Sequence, residues 1–170
     1  MVLCAEASKM IPCSGEGVNE MTLDDLVAIE AIRHLKARYF RALDGQDWPM
    51  MEKLFTPDAS IDTTADGAPL LEGGAAFCAF LAPILAGVCT VHHGHTHEID
   101  ISEPDRASGV WAMEDRLWFP EDKGGAFIHG FGWYRERYRA DQTGHWQIAS
   151  LRLDRVRVET DGVVRRAPTS

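Results

Sequence analysis

Val88-Cys89-Thr90-Val91-His92-His93-Gly94-His95-Thr96-His97-Glu98-Ile99-Asp100-Ile101 is the stretch on which the fold turns, because here a helical spacing of apolar residues gives way to a period of two. Four of the chain's seven histidines crowd into it, so the strand needs a chemical or a structural account. Successive side chains of a strand point to opposite faces. His92 therefore stands on one face, and His93, His95 and His97 stand on the other. Imidazole titrates near neutral pH, so a single histidine on its face suits general acid/base work. The three alternate histidines suit a metal site or a solvated or interface face. The run lacks an identifiable fourth ligand, so the expectation is a surface or interface face and no metal.

The period of two continues downstream through Ala107–Phe119, Ala126–Ala140 and His145–Val158. Short clusters separate these runs: Ser102-Glu103-Pro104-Asp105, then residues 120–125, then Asp141-Gln142-Thr143-Gly144. Connections this short predict an antiparallel meander, since parallel neighbours need longer crossovers. Upstream the pattern is helical. Thr22 with Asp24 and Asp25 has the form of a helix start, and Leu23, Leu26, Val27, Ile32, Leu35, Tyr39 and Leu43 carry the stripe onward. Asp47 caps a second helix, Trp48 to Phe55, which Thr56-Pro57-Asp58 stops. A short strand is expected at Ala59–Asp62, then a loop to Leu71, then a third helix carrying Phe77, Phe80, Leu81, Ile84 and Leu85 to about Gly87. Helices followed by a meander predict an α+β domain whose sheet packs one face against the helices.

Composition narrows the function. At 170 residues the chain is one domain, expected over 21–160, with a flexible arm at 1–20 and a tail at 161–170. A net charge of −9 argues against nucleic acid and against anionic membrane. No stretch approaches the roughly 20 apolar residues that span a bilayer. Cys4, Cys13, Cys78 and Cys89 show neither a CxxC pair nor a disulfide framework, which fits reduced thiols in the cytoplasm.

Several residues are candidates for chemistry. Asp115 interrupts the otherwise apolar alternation Trp111, Met113, Leu117, Phe119. It is either a partly exposed carboxylate near a strand end or a group that faces a cavity and balances a histidine. Tyr39 and Asp44 lie near the end of the first helix, as a core aromatic and a turn residue or as two edges of a cavity. No phosphate cradle follows a strand, and neither Ser60 nor Ser150 stands in a nucleophile elbow.

Ile32 to Asp44, Asp47-Trp48, Leu54-Phe55-Thr56-Pro57-Asp58-Ala59, Val91-His92-His93-Gly94-His95, Trp111 to Arg116 and Trp146 to Leu151 together resemble SnoaL-like proteins of the nuclear transport factor 2-like superfamily, over about residues 22–158. The resemblance implies a curved antiparallel sheet wrapped around the N-terminal helices to form a cone with an apolar pocket. The catalytic layout resembles that of scytalone dehydratase, bile-acid 7α-dehydratase and hexachlorocyclohexane dehydrochlorinase. These use an Asp at the end of the first helix and a His on the strand after the third, with no cofactor.

On that resemblance Asp44 and His92 form the catalytic pair and Tyr39 is the accompanying acid. Trp48, Met113, Asp115 and an arginine of the last strand, Arg152 or Arg155, contact the substrate. The implied activity is a cofactor-independent elimination, dehydration or retro-aldol loss of formaldehyde, from a hydroxylated, largely apolar or aromatic small molecule. Isomerases and cyclases share the fold, as do proteins that only bind. The isomerase alternative pairs Tyr39 with Asp115 around an oxyanion. Phe131 and Trp133 on an outward sheet face suggest a homo-oligomer, a dimer or trimer.

Overall fold

The computed structural model describes residues 21–161 and 163–166. The N-terminal arm expected at 1–20 lies outside the described residues, as do residues 162 and 167–170 of the tail. Among the described residues three α-helices precede the long strands: α1 (Leu23–Asp44), α2 (Trp48–Lys53) and α3 (Gly73–Leu85). Thr22 and Asp25 form a reciprocal capping box that starts α1, which satisfies two of the amides a helix start leaves unpaired. Asp47 caps α2 by accepting from Met50. The stripe of α1 buries Ile32, Leu35, Tyr39, Ala42 and Leu43, whereas Leu23, Leu26 and Val27 in its first turns stay exposed. No helix among the described residues is long and apolar enough to cross a membrane.

The strands are β1 (Phe55–Asp62), β2 (Leu71–Glu72), β3 (Cys89–Glu103), β4 (Arg106–Trp118), β5 (Phe127–Ala140), β6 (Trp146–Thr160) and β7 (Val163–Arg166). They form one open sheet in the order β2-β1-β6-β5-β4-β3, and β7 pairs with the end of β6. The fold is α+β, with a meander from β3 to β6 as the short turns require. One pairing departs from the antiparallel pattern: β1 runs parallel to β6. The chain reaches that neighbour only after α3 and the whole meander, a crossover long enough for parallel pairing. Phe55, expected to end α2, instead begins β1, and its ring packs on Tyr39 and Phe77.

A bulge in β3 changes the reading of the histidines. Gly94 pairs with Met113 and His97 pairs with Trp111, so His95 and Thr96 together oppose the single residue Ala112. The extra residue shifts the alternation by one. Thr90, His92 and Gly94 face the helices before the bulge, and His97, Ile99 and Ile101 face them after it. Strict alternation placed His93, His95 and His97 together. Instead His97 turns inward and stacks on Trp111, with ring centroids 4.9 Å apart.

Candidate active site

Asp44 is the last residue of α1, and its carboxylate is stitched to the edge strand β3. Oδ1 lies 2.6 Å from His92 Nδ1 and accepts from the Thr90 hydroxyl at 2.9 Å, while Oδ2 accepts the His92 backbone N–H at 3.0 Å. A negative charge at a helix C-terminus opposes the helix dipole. Donors from a separate strand offset that cost. Partial burial pushes the Asp44 carboxyl up, but hydrogen bonds from the His92 ring and amide, the charge of His92 and the Thr90 hydroxyl outweigh it and hold it below the ordinary value of 3.8. An ionised carboxylate can only accept, so Nδ1 carries the hydrogen of that contact. Nε2 is then the basic nitrogen of a His92 whose side chain is 8% exposed.

Asp115 stands directly opposite His92 in the β3–β4 register, on the same inner face. Cross-strand neighbours keep their Cβ atoms about 5 Å apart, so one small molecule can touch both side chains. Asp115 is buried, and its Oδ2 meets Arg155 Nη2 at 2.7 Å. Among the described residues its buried Oδ1 has no hydrogen-bond partner. Arg155 also donates to both oxygens of Asp66 at 2.8 Å and approaches the Met113 sulfur at 3.6 Å. Glycine at 130 makes this cluster possible. A Cβ there would collide with Asp115 Oδ1 and the Arg155 guanidinium.

The two last-strand arginines separate cleanly. Arg155 points inward, while Arg152 is exposed on the outer face and bound to Asp154 at 2.7 Å. Arg152 is thereby set apart from the other expected contact residues. Alternation puts Leu151, Leu153 and Arg155 on one side of β6 and Arg152 on the other. Tyr39 is buried against Phe40, Phe55 and Tyr134, and burial pushes its hydroxyl well above 10, with Tyr134 and Glu136 adding to the shift. It remains a protonated donor. Met113 is buried beside Arg155, and Trp48 is half-buried at the start of α2, where its carbonyl receives the Cys78 thiol.

Sequence reading missed a second buried pair. Lys36 of α1 and Glu136 of β5 are bonded in the interior, and both are almost fully buried. Lys36 Nζ lies 3.7 Å from the Tyr134 ring centre and 4.2 Å from that of Tyr39. Glu136 also accepts from the Tyr138 hydroxyl, which in turn accepts from the Trp111 indole at 2.8 Å. Burial lowers the pKa of the Lys36 ammonium and Glu136 opposes that shift. The one available signal was Lys36 falling beside Leu35 and Tyr39 on the apolar stripe of α1. A groove of about 310 Å³ runs alongside, between α1 and the β3–β4 edge, lined by Lys36, Phe40, Gly94, His97 and Trp111 among others. Gly94 is the next inner-face position after His92, so the groove reaches the neighbourhood of the pair.

The model of a family described as the SnoaL-like domain matches residues 24–152. Among solved structures, a type 2 hexachlorocyclohexane dehydrochlorinase superposes with a TM-score of 0.72 at 19% identity, covering 86% of this chain and 97% of its own. A candidate scytalone dehydratase from Novosphingobium aromaticivorans gives 0.72 at 21% identity, covering 85% and 93%. A protein of unknown function from Mycobacterium tuberculosis gives 0.65 at 25% identity, covering 76% and 77%. The first two likenesses carry the fold, and neither carries the reaction.

Proposed function

The chain belongs to the SnoaL-like family, and on that premise we propose that it is a cofactor-independent lyase acting on a hydroxylated, largely apolar or aromatic small molecule. The observation that carries the reading is the 2.6 Å contact between His92 Nδ1 and Asp44. Asp44 holds the imidazole in the tautomer whose Nε2 is basic and stabilises the imidazolium that forms. Nε2 takes the proton from the carbon next to the one that bears the leaving hydroxyl. Tyr39 supplies a proton to that hydroxyl, which departs as water, and the proton on His92 returns to the tyrosine. In a retro-aldol step the pair would work differently: Nε2 takes the proton of a hydroxymethyl O–H, the C–C bond breaks to release formaldehyde, and that proton passes to the carbon left behind. Asp115 and Arg155 hold the polar end of the substrate, and Trp48 and Met113 supply apolar wall.

An isomerase of the Tyr39–Asp115 kind is less well supported. That role needs an Asp whose oxygen can face the substrate as a donor, whereas Asp115 Oδ2 is engaged by the Arg155 guanidinium at 2.7 Å. The contact between the Asp44 carboxylate and the His92 ring favours proton-transfer chemistry over a purely binding protein, whose function needs no such ring–carboxylate pair. Free thiols at Cys78 and Cys89 suit a reducing compartment such as the cytoplasm. The outward aromatics Phe131 and Trp133 suit a homo-oligomer.

The test is a turnover screen of hydroxylated aromatic and steroid-like compounds, read by mass spectrometry for loss of water or formaldehyde. Wild type is expected to convert at least one class, with His92→Ala slower by about 10² to 10⁴. Near-normal turnover by His92→Ala on the same compound would sink the mechanism.

A further inference from the structure

We propose that the groove between α1 and the β3–β4 edge is a second ligand site, which takes a planar aromatic carboxylate and is separate from the Asp44–His92 pair. α1 lies beside β3, and their contacts follow in order. Asp44 meets Thr90 and His92, Phe40 packs on Gly94, and beyond them Arg33, Ala37 and His97 line the groove of about 310 Å³. A Cβ at Gly94 would come within 2.7 Å of the Phe40 ring and 3.3 Å of Trp111. The Phe40 ring therefore lies against the β3 backbone and stands between the groove and the pair.

Ring surface lines the groove because β3 is bulged. The extra residue at His95–Thr96 re-aims His97 inward, where it stacks on Trp111 with ring centroids 4.9 Å apart. Phe40 adds a third ring, and the small residues Gly94 and Ala37 leave room beside the three. The volume falls at the low end of the roughly 300–1,000 Å³ of small-molecule sites, which suits one or two fused rings better than a steroid-sized body.

Charge selects the sign of the ligand. The chain carries 26 acidic side chains against 17 Lys and Arg, yet the groove is lined by Arg33, His34, Lys36, His95 and His97 and, among the described residues, by the single acid Glu30. Such a local excess of basic groups draws an anion. Lys36 is already bonded to Glu136, so Arg33 is the cation that can meet it. Among the described residues only Arg33 Nη1 is engaged, by Glu30 at 2.6 Å, which leaves the Nε–Nη2 edge of the guanidinium open. That edge matches the two oxygens of one carboxylate. A polyphosphate would need several such cations, and a ligand ammonium would find Glu30 already shared by Arg33 and His34.

The experiment is isothermal titration calorimetry with 2-naphthoate as the probe, and with 2-naphthol and cyclohexanecarboxylate as comparators that lack the charge and the flat ring. It is run on wild type, Arg33→Gln, Ala37→Leu and His92→Ala. Arg33 and Ala37 are exposed on α1, and Gln and Leu are good helix formers, so folding is not at stake, and circular dichroism verifies it. Wild type is expected to bind 2-naphthoate at least about fivefold more tightly than either comparator. Arg33→Gln removes the charge and Ala37→Leu fills the groove, and each is expected to weaken 2-naphthoate at least about fivefold, while His92→Ala binds it as wild type does. A wild type that does not bind 2-naphthoate, a comparator that binds as tightly, or an affinity unchanged in Arg33→Gln or Ala37→Leu would overturn the proposal. So would a loss in His92→Ala as large as in those two variants, since it would put the acid at the pair. Turnover is not read in this measurement, so the groove and the lyase reading stand or fall separately.

Discussion

His92 and Asp44 are joined twice, ring to carboxylate at 2.6 Å and backbone amide to the other oxygen at 3.0 Å, so the two side chains hold one geometry. Asp44→Asn keeps the shape but can donate as well as accept, which frees the imidazole to take the wrong tautomer. Turnover of a converted substrate should fall by about 10² to 10⁴ in Asp44→Asn and in His92→Ala, with thermal unfolding that remains cooperative. Loss of cooperative unfolding in both would assign the pair to structure instead.

The depressed pKa of Asp44 makes stability depend on pH with a defined sign. A carboxyl that sits lower in the folded than in the unfolded chain stabilises the fold above its ordinary 3.8, and that contribution disappears as pH falls through the folded value. Melting temperatures followed from neutral pH down past pH 4 should therefore drop less steeply in Asp44→Asn than in wild type. Parallel acid limbs would show that Asp44 contributes nothing to the slope.

Arg155 and Arg152 are three residues apart and should behave differently. Arg155→Ala leaves Asp115 in the interior without this partner, a change expected to cost about 3–5 kcal/mol in urea unfolding. Arg152→Ala removes an exposed pair and should cost no more than about 0.5 kcal/mol. Equal losses would contradict the inward placement of Arg155.

The Lys36–Glu136 pair is predicted to matter chiefly when broken. Lys36→Ala leaves Glu136 buried with, among the described residues, only Tyr138 as a donor, at a cost of about 3–5 kcal/mol. Lys36→Met combined with Glu136→Gln removes both charges while roughly keeping volume, and should recover most of that loss. A double variant as unstable as Lys36→Ala would mean that the cost lies in packing against Tyr39 and Tyr134 and not in charge.

Local signals made the elements legible from sequence. The Thr22–Asp25 capping box, the Asp47 cap and the turn clusters around Pro104, residues 120–125 and Gly144 act over a few residues, so they can be read without knowing what packs where. Pairing between distant segments is harder to read. The strand expected at Ala59–Asp62 starts at Phe55 because its partner is β6, some ninety residues away, and nothing near Phe55 announces that partner.

The site divides along the same line. Sequence by itself determined that a helix ends at Asp44, that a strand carries His92, that Asp115 sits in an apolar alternation and, through family resemblance, that Asp44 and His92 belong together. Only tertiary structure decided which arginine enters the interior, that Asp66 and Gly130 support it, and that Lys36 is buried against Glu136. It also decided that one extra residue in β3 turns His97 inward. The physical reason is that caps, turns and periodicity are short-range properties of the chain. Charge pairing across strands and the parity shift at a bulge depend on which distant backbone lies alongside.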